Sequence, residues 1–443
     1  MSVTYLKRSL SLFLALLYTG FLFQPYAQDF VLSNGTEVTM RTLSTDIHRP
    51  WDIEVLPDNK ILVTERDSGF VSMFDLQTGQ KTIVYRFADE ERVNPDFGTT
   101  AGILGMLVHP DFSGSQPFVY VAYTSADFTQ ALARFRYDGS QLVEREILIV
   151  TEDAPSNHGS RLALLPDSTI LMTTGSDNVP LAQDTTSLVG KVLRFRLDGS
   201  APFDNPFYNE NDPTDPRSYI YSMGHRNAQG ITVVNDQSHP FHGNIYASEH
   251  GSRQNDEINF IEAGKNYGWP NFEGWTSQSS PENEPPMVTF DLAPTGIAWY
   301  NHPAIPEWSN KLIMGTSKGQ QMVVWDLNEE GDGITNIDTT LSTSNNAVIQ
   351  NGEHSFLLFF DGHLTRPRCI TPLDDGRILL GLWSEAPGEP DRVAILSNDA
   401  YQPAEIAWSV TEVQFGSVDR DIMRQRFFLG IKGIVICQSI PLV

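Results

Sequence analysis

A recurring phrase constrains this chain more than any other feature: a proline-containing turn, often with Asp, followed by a short β-rich apolar run. It appears as LPDNKILVTE (56–65), HPDFSGSQPFVYVAY (109–123) and LPDSTILMTTG (165–175), and more loosely as HPFHGNIYAS (239–248), PEWSNKLIMGTS (306–317) and PLDDGRILLGLW (372–383). The marker prolines Pro57, Pro110, Pro166, Pro240, Pro306 and Pro372 are spaced by 53, 56, 74, 66 and 66 residues. Further alternating segments follow, among them VSMFDL (71–76), ALARFRYD (131–138), KVLRFRLD (191–198) and QMVVWDL (321–327). Period-two runs of this kind read as half-buried strands. Six such units predict an all-β, six-bladed β-propeller of four-stranded antiparallel blades over residues 28–398. A large β-sandwich with coincidental turn phrases is the competing architecture.

The two ends break the rhythm. Lys7 and Arg8 precede an apolar run from Leu10 to Phe23 and a Pro-Tyr-Ala sequence, the layout of a secretory signal peptide over residues 1–27 with cleavage after Ala27. An N-terminal anchor is the alternative, because Pro25 stands where a small residue is usual. Without that segment the chain has no membrane span and is expected in a secreted or periplasmic location. Residues 399–443 carry no repeat phrase and end in a continuous apolar stretch, and read as a C-terminal tail that closes the ring, forms an appended element or reflects a disturbed reading frame. Cys369 and Cys437 are the only cysteines and read as two buried thiols rather than a disulfide framework.

Charge excludes two partner classes. With 55 Asp and Glu against 30 Lys and Arg, the net charge is −25. Phosphate backbones and anionic lipid repel such a chain, so nucleic acid is not a partner.

Propellers bind ligands at the channel mouth through loops from several blades, so chemistry is sought there. The segment GHRNAQG (224–230) places His225, Arg226, Asn227 and Gln229 between two glycines. SEHGSRQNDEINFIEAGKNYGWP (248–270) supplies Glu249, Asp256, Glu257, Asn255 and Asn259 beside glycine-rich backbone, a set of hard oxygens suited to Ca²⁺. In SNHGSRL (156–162), His158 precedes a repeat strand and is a candidate base. Lys318 closes one repeat strand, while Arg366 and Arg368 open another. In an acidic chain, cations gathered at one mouth make a local anion trap.

Together, RPWDIEVLPDNKILVTER, GILGMLVHPDF, LAQDTTSLVGKVLRFRLDGSAPFDNPF, YSMGHRNAQG, SEHGSRQNDEINFIEAGKNYGWP and the APTG and RPR segments, spread from Pro50 to Leu396, resemble the soluble glucose/sorbosone (aldose sugar) dehydrogenases. That resemblance implies a quinoprotein using pyrroloquinoline quinone (PQQ) and calcium, which oxidises an aldose at its anomeric carbon to the lactone and passes electrons to an external acceptor. It implies His158 as the base for the anomeric hydroxyl, and Asp177 or Ser176 as the group that orients it. Arg226 is implied as stabilising charge on the quinone oxygen and Asn227 as a hydrogen-bond partner of the cofactor. Lys318, Arg366 and Arg368 are implied as the cations that bind PQQ. The Gly251 and Ser252 carbonyls are implied as ligands of a catalytic calcium, and Glu257 with the Tyr267 carbonyl as ligands of a structural one. Three positions depart from the family pattern. Ala101 stands where Gln or Glu is usual, His158 lies three rather than four residues before Arg161, and Ser176 is added in Thr-Gly-Ser-Asp. These departures fall on the proton-transfer half of the site. Two further readings stand beside the dehydrogenase: a non-catalytic, calcium-stabilised propeller binding a sugar or protein partner, and a calcium-dependent lactonase.

Overall fold

The computed structural model describes residues 27–93, 100–153, 156–176, 180–252, 254–274, 283–335, 337–343, 346–349, 355–357, 359–360, 363–385, 387–403, 428–431 and 434–437. It divides into two compact units, Met1–Tyr401 and Gln402–Val443. In the second, Phe428–Ile431 and Ile434–Cys437 form an antiparallel hairpin.

The first unit is a six-bladed propeller. Blades one to four are four-stranded antiparallel meanders whose innermost strands are Pro50–Leu56, Ile103–Val108, Gly159–Leu164 and Ala228–Val233. Blade five starts at Pro294–Tyr300, and blade six runs through Arg366–Pro372, Ile378–Trp383 and Arg392–Ser397. The chain's first long strand, Glu37–Ser44, pairs with Arg392–Ser397 and closes the ring, with Ala27–Val31 as an extra outer strand. Closure matters because it leaves no open sheet edge between first and last blades. Each marker proline lies where an innermost strand turns into the next: Pro57, Pro110, Pro166, Pro240 and Pro306 in the connection, Pro372 as the last strand residue. Fixed φ and the missing N–H make proline a natural stop there.

The core is six apolar slabs, one between each pair of neighbouring blades. Leu62, Val71, Met106 and Val121 fill the slab between blades one and two, and Ile53, Val63, Cys369 and Leu379 fill the one that joins six back to one. Cys369 is thus a buried thiol packed as an apolar residue.

Inner strands lie side by side in parallel register, so all six begin at the same mouth of the channel. Glycines set the spacing: a Cβ at Gly105 would stand 2.2 Å from the Ser160 carbonyl oxygen, and one at Gly230 would stand 2.6 Å from that of Thr295. Across the axis at this level runs Arg161. Its Nε donates to the Gln229 carbonyl (3.1 Å), Nη1 to the Trp51 carbonyl (2.9 Å) and Nη2 to the Arg368 carbonyl (3.1 Å). The same Nη1 lies 2.5 Å from Asp52 Oδ1, and Asp52 Oδ2 accepts from the Met106 N–H (2.9 Å). One side chain of blade three therefore ties blades one, four and six directly, and blade two through Asp52. Two residues along, half-buried Glu54 accepts from the Val108 N–H.

Two predictions follow from this channel. Arg161→Met leaves the Asp52 carboxylate buried without its cation, and breaking such a pair costs about 3–5 kcal/mol. Denaturant unfolding checks this, and Asp52→Asn added to Arg161→Met is expected to recover part of the loss. Burial and then the Asp52 charge push the Glu54 carboxyl up to about 8. A raised carboxyl pKa favours the folded state while the group keeps its proton, so this contribution is full below the usual carboxylate range and fades as pH rises through about 8. Stability measured between pH 6 and pH 9 is expected to fall less steeply in Glu54→Gln than in wild type.

Candidate functional site

The residues singled out by sequence gather at the mouth where the inner strands begin. His158, Arg226 with Asn227, and Arg366 with Arg368 lie at the starts of the innermost strands of blades three, four and six. Lys318 and the Glu249–Ser252 segment follow second strands, whose ends return to this mouth.

Arginines dominate one side. Arg368 is buried, and its guanidinium carbon sits 4.3 Å from the Trp51 ring centre and 4.7 Å from that of Trp383. Arg49 and Arg66 cover the Trp383 ring at 4.1 and 4.7 Å. Arg368 donates to Gln229 Oε1 (3.2 Å) and, among the described residues, has no carboxylate partner. Burial, then the Arg66, Arg161 and Arg366 charges, hold its pKa well below the usual guanidinium range. Guanidinium stays charged in proteins, so burial first and the neighbouring arginines second leave it a charge that an anion would stabilise. Arg366 pairs with Glu385 (2.5 Å) and donates to Ser317 Oγ (3.3 Å), while its Nε is buried without a partner. Lys318 adjoins that serine, but its amine is exposed and held by Asp291.

Arg226 joins this group through His250. Its Nη1 donates to the His250 carbonyl (3.0 Å) and the Gly251 carbonyl (2.8 Å), and its guanidinium lies 5.3 Å from the Trp269 ring. The His250 ring bonds the Pro294 carbonyl through Nε2 (2.6 Å), and burial, then the Arg368 and Arg226 charges, push it down to about 4. His250 is therefore neutral across the physiological range.

A second cluster is acidic. His225, stacked on Tyr267 at 4.7 Å, holds Glu249 through Nδ1 (3.0 Å) and bonds Ser222 through Nε2 (2.9 Å). Glu249 also accepts from the Arg226 and Asn227 N–H groups. Burial raises the Glu249 carboxyl, but the bonds and charge from His225 and those amides outweigh it and keep its pKa low. Glu257 accepts from Asn259 Nδ2 (3.0 Å) and the Gly274 N–H (2.6 Å), and burial, then Glu249, pushes it up to about 8. Glu249, Glu257 and Glu273, with Gly251, Tyr267 and Trp269, line a cavity of ≈ 10 Å³. That is room for one water or ion. Glu273 also caps the Ser252 N–H and hydroxyl. Among the described residues no three His, Cys, Asp or Glu side chains converge as a metal set, so a cation here would need carbonyls as well as carboxylates.

His158 is buried immediately before a bulge. The strand pairing steps from Gly159↔Thr174 to Leu162↔Met172, and Gly159 (φ 51°) and Ser160 (φ 60°) take left-handed backbone. A bulge of this kind re-aims the side chains beside it. Ser176 is buried and bonds the Arg226 carbonyl through its N–H (2.8 Å). Asp177 lies outside the described residues. Ala101 is fully buried.

Trp51, Trp383, Arg49, Arg66 and His250 were not marked by sequence. Arg49, Trp51 and Arg66 stand in RPWDIEVLPDNKILVTER, His250 in SEHGS and Trp383 at the end of PLDDGRILLGLW, so sequence marks the segments and not these side chains.

With this geometry in view, comparisons with known proteins place the chain. The glucose/sorbosone dehydrogenase family model matches residues 47–360. The aldose sugar dehydrogenase YliI of Escherichia coli is 27% identical over 321 residues, covering 67% of this chain and 82% of that protein. Quinoprotein glucose dehydrogenase B of Acinetobacter calcoaceticus is 29% identical over 282 residues, 56% of each chain. The PQQ-bound aldose sugar dehydrogenase of Streptomyces coelicolor superposes with a TM-score of 0.64 at 26% identity, covering 84% of this chain and 98% of that one. Six blades in the expected register, a cation-rich channel mouth and a family match over most of the propeller agree, and the chain belongs to the glucose/sorbosone dehydrogenase family.

Proposed function

We propose that this protein is a PQQ-dependent sugar dehydrogenase, an oxidoreductase that takes an aldose to its lactone at the cation-rich mouth. The observation that carries the reading is Arg368: a buried guanidinium sandwiched by two indoles, crowded by Arg66, Arg161 and Arg366, with no carboxylate among the described residues to neutralise it. A scaffold or a hydrolase has no use for that arrangement, whereas a tricarboxylate supplies the missing counter-charge. The buried Nε of Arg366 is a further donor available to such an anion.

Arg366 and Arg368 would hold the cofactor carboxylates, with Lys318 joining once it exchanges Asp291 for the ligand. Asn227 would supply a hydrogen bond, and Arg226 a cation beside the reacting oxygen. When bound, the quinone supplies the two-electron sink that an alcohol oxidation requires. His158 takes the proton of the anomeric hydroxyl on a ring nitrogen, a role that needs a neutral imidazole close to the substrate. Burial of His158, Asn227 and Arg368 strengthens the interactions they make. The calcium reading has separate support. Glu257, close to Glu249 and Glu273 around an ion-sized cavity, has its ionised form disfavoured by burial and by Glu249, a penalty that a divalent cation would offset, and Tyr267 and Gly251 line the same space. A calcium at the Gly251 and Ser252 carbonyls would act as a Lewis acid on the reacting carbonyl, and it requires Arg226 to share or leave the Gly251 oxygen. The leader over residues 1–27 gives the enzyme a secreted or periplasmic location, where an external acceptor removes the electrons. No helix among the described residues is long and apolar enough to cross a membrane.

Apoprotein mixed with PQQ and Ca²⁺ is expected to reduce a redox dye when given an aldose. His158→Ala is expected to lose turnover while PQQ binding persists; retained turnover in that variant takes His158 out of the base role. Calcium at 100 times its Kd is expected to add about 2.7 kcal/mol of stability, which EDTA reverses. Glu257→Gln is expected to lose that increment, and an equal calcium response in wild type and variant would remove Glu257 from the ligand set.

A further inference from the structure

The departures around His158 direct attention to what holds its main chain, and one anchor lies in the residue before Ala101. Thr100 Oγ1 accepts the His158 N–H (2.9 Å) and donates to the Ser156 carbonyl (3.1 Å), which also accepts the Thr100 N–H (3.1 Å). On the other side, Asn227 Oδ1 accepts the Gly159 N–H (3.2 Å), and the Ser160 hydroxyl donates to the His158 carbonyl (2.7 Å). The bulge is therefore clamped from both neighbouring blades, by Thr100 at the entry of blade two and Asn227 at the entry of blade four. Thr100 is itself anchored. The Gly102 N–H reaches Thr124 Oγ1 (3.3 Å), the Thr124 N–H returns to the Gly102 carbonyl (2.8 Å), and the Ile103 N–H bonds the Arg66 carbonyl (3.1 Å).

We propose that Thr100 is a positioning residue for the sugar oxidation, its hydroxyl holding the His158 main chain so that the imidazole keeps the angle proton removal needs. This rests on the reading of His158 as the base. A bulge with two successive left-handed residues has no continuous strand ladder to fix it, so the side-chain bonds at its ends set its direction. Thr100→Val keeps the shape and removes the hydroxyl. A misplaced base costs rate rather than affinity, and a shift on the order of 1 Å can cost up to roughly a hundredfold.

The test compares PQQ- and calcium-loaded wild type, Thr100→Val, Thr100→Ala, Thr100→Ser and His158→Ala. Expected is a kcat lower by roughly ten- to a hundredfold in the Val and Ala variants, with KM and PQQ affinity unchanged and kcat restored in Thr100→Ser. Wild-type kcat in Val or Ala overturns the proposal, as does a Ser variant as slow as Val. Loss of PQQ affinity or of folding in both Val and Ala also overturns it, since Thr100 then serves only the fold. The two readings separate cleanly: turnover surviving His158→Ala defeats the base assignment, whereas an inactive His158→Ala beside a fully active Thr100→Val defeats the Thr100 role alone.

Discussion

One guanidinium at the axis fixes the geometry on which the site depends. A propeller ring is held by apolar slabs between neighbours, and slabs permit small sliding motions. Arg161 removes that freedom at the mouth by bonding carbonyls of blades one, four and six and by pairing with Asp52, which in turn holds blade two. The carbonyls it grips belong to Trp51, Gln229 and Arg368, so the two walls of the cationic site, the Trp51 ring and the Arg368 backbone, share one anchor.

Charge at the mouth is arranged by contrast. The chain carries −25 overall, yet Arg49, Arg66, Arg226, Arg366 and Arg368 meet at one mouth, interleaved with Trp51, Trp269 and Trp383. Arg49 and Arg66 pair with Asp67 and Arg366 with Glu385, whereas Arg368 rests on indole faces, which tolerate guanidinium without neutralising it. Beside it, Glu249, Glu257 and Glu273 wall a cavity that Arg226 and His250 also line. His250, flanked by Arg226 and Arg368, is neutral.

Much of this could be read before any coordinates. The proline phrases mark the turn after each innermost strand because proline's chemistry suits that turn in every blade. Arg226, Arg366 and Arg368 are legible because polar residues at the starts of inner strands have nowhere to go but the mouth. What stayed hidden depends on distance along the chain. Ring closure by Glu37–Ser44 carries no local signal, since a closing strand looks like any other. Arg161 sits in an ordinary strand pattern, and its partners lie 110, 68 and 207 residues away. The Asp291 grip on Lys318 and the Trp383 wall are likewise products of packing. The bulge that follows His158 is hidden in the same way: it rests on left-handed backbone at Gly159 and Ser160, which motif spacing does not reveal.

The central claim is that the crowded arginines form a seat for a tricarboxylate quinone. Its most direct measurement is the equilibrium binding of PQQ to the calcium-loaded protein, compared between wild type and Arg368→Met at two ionic strengths. The account predicts one molecule per chain, and an affinity that falls roughly ten- to a hundredfold in the variant, as expected for losing one charged hydrogen-bonding group. Binding by Arg368→Met as tight as by wild type, or no binding by either, would contradict it.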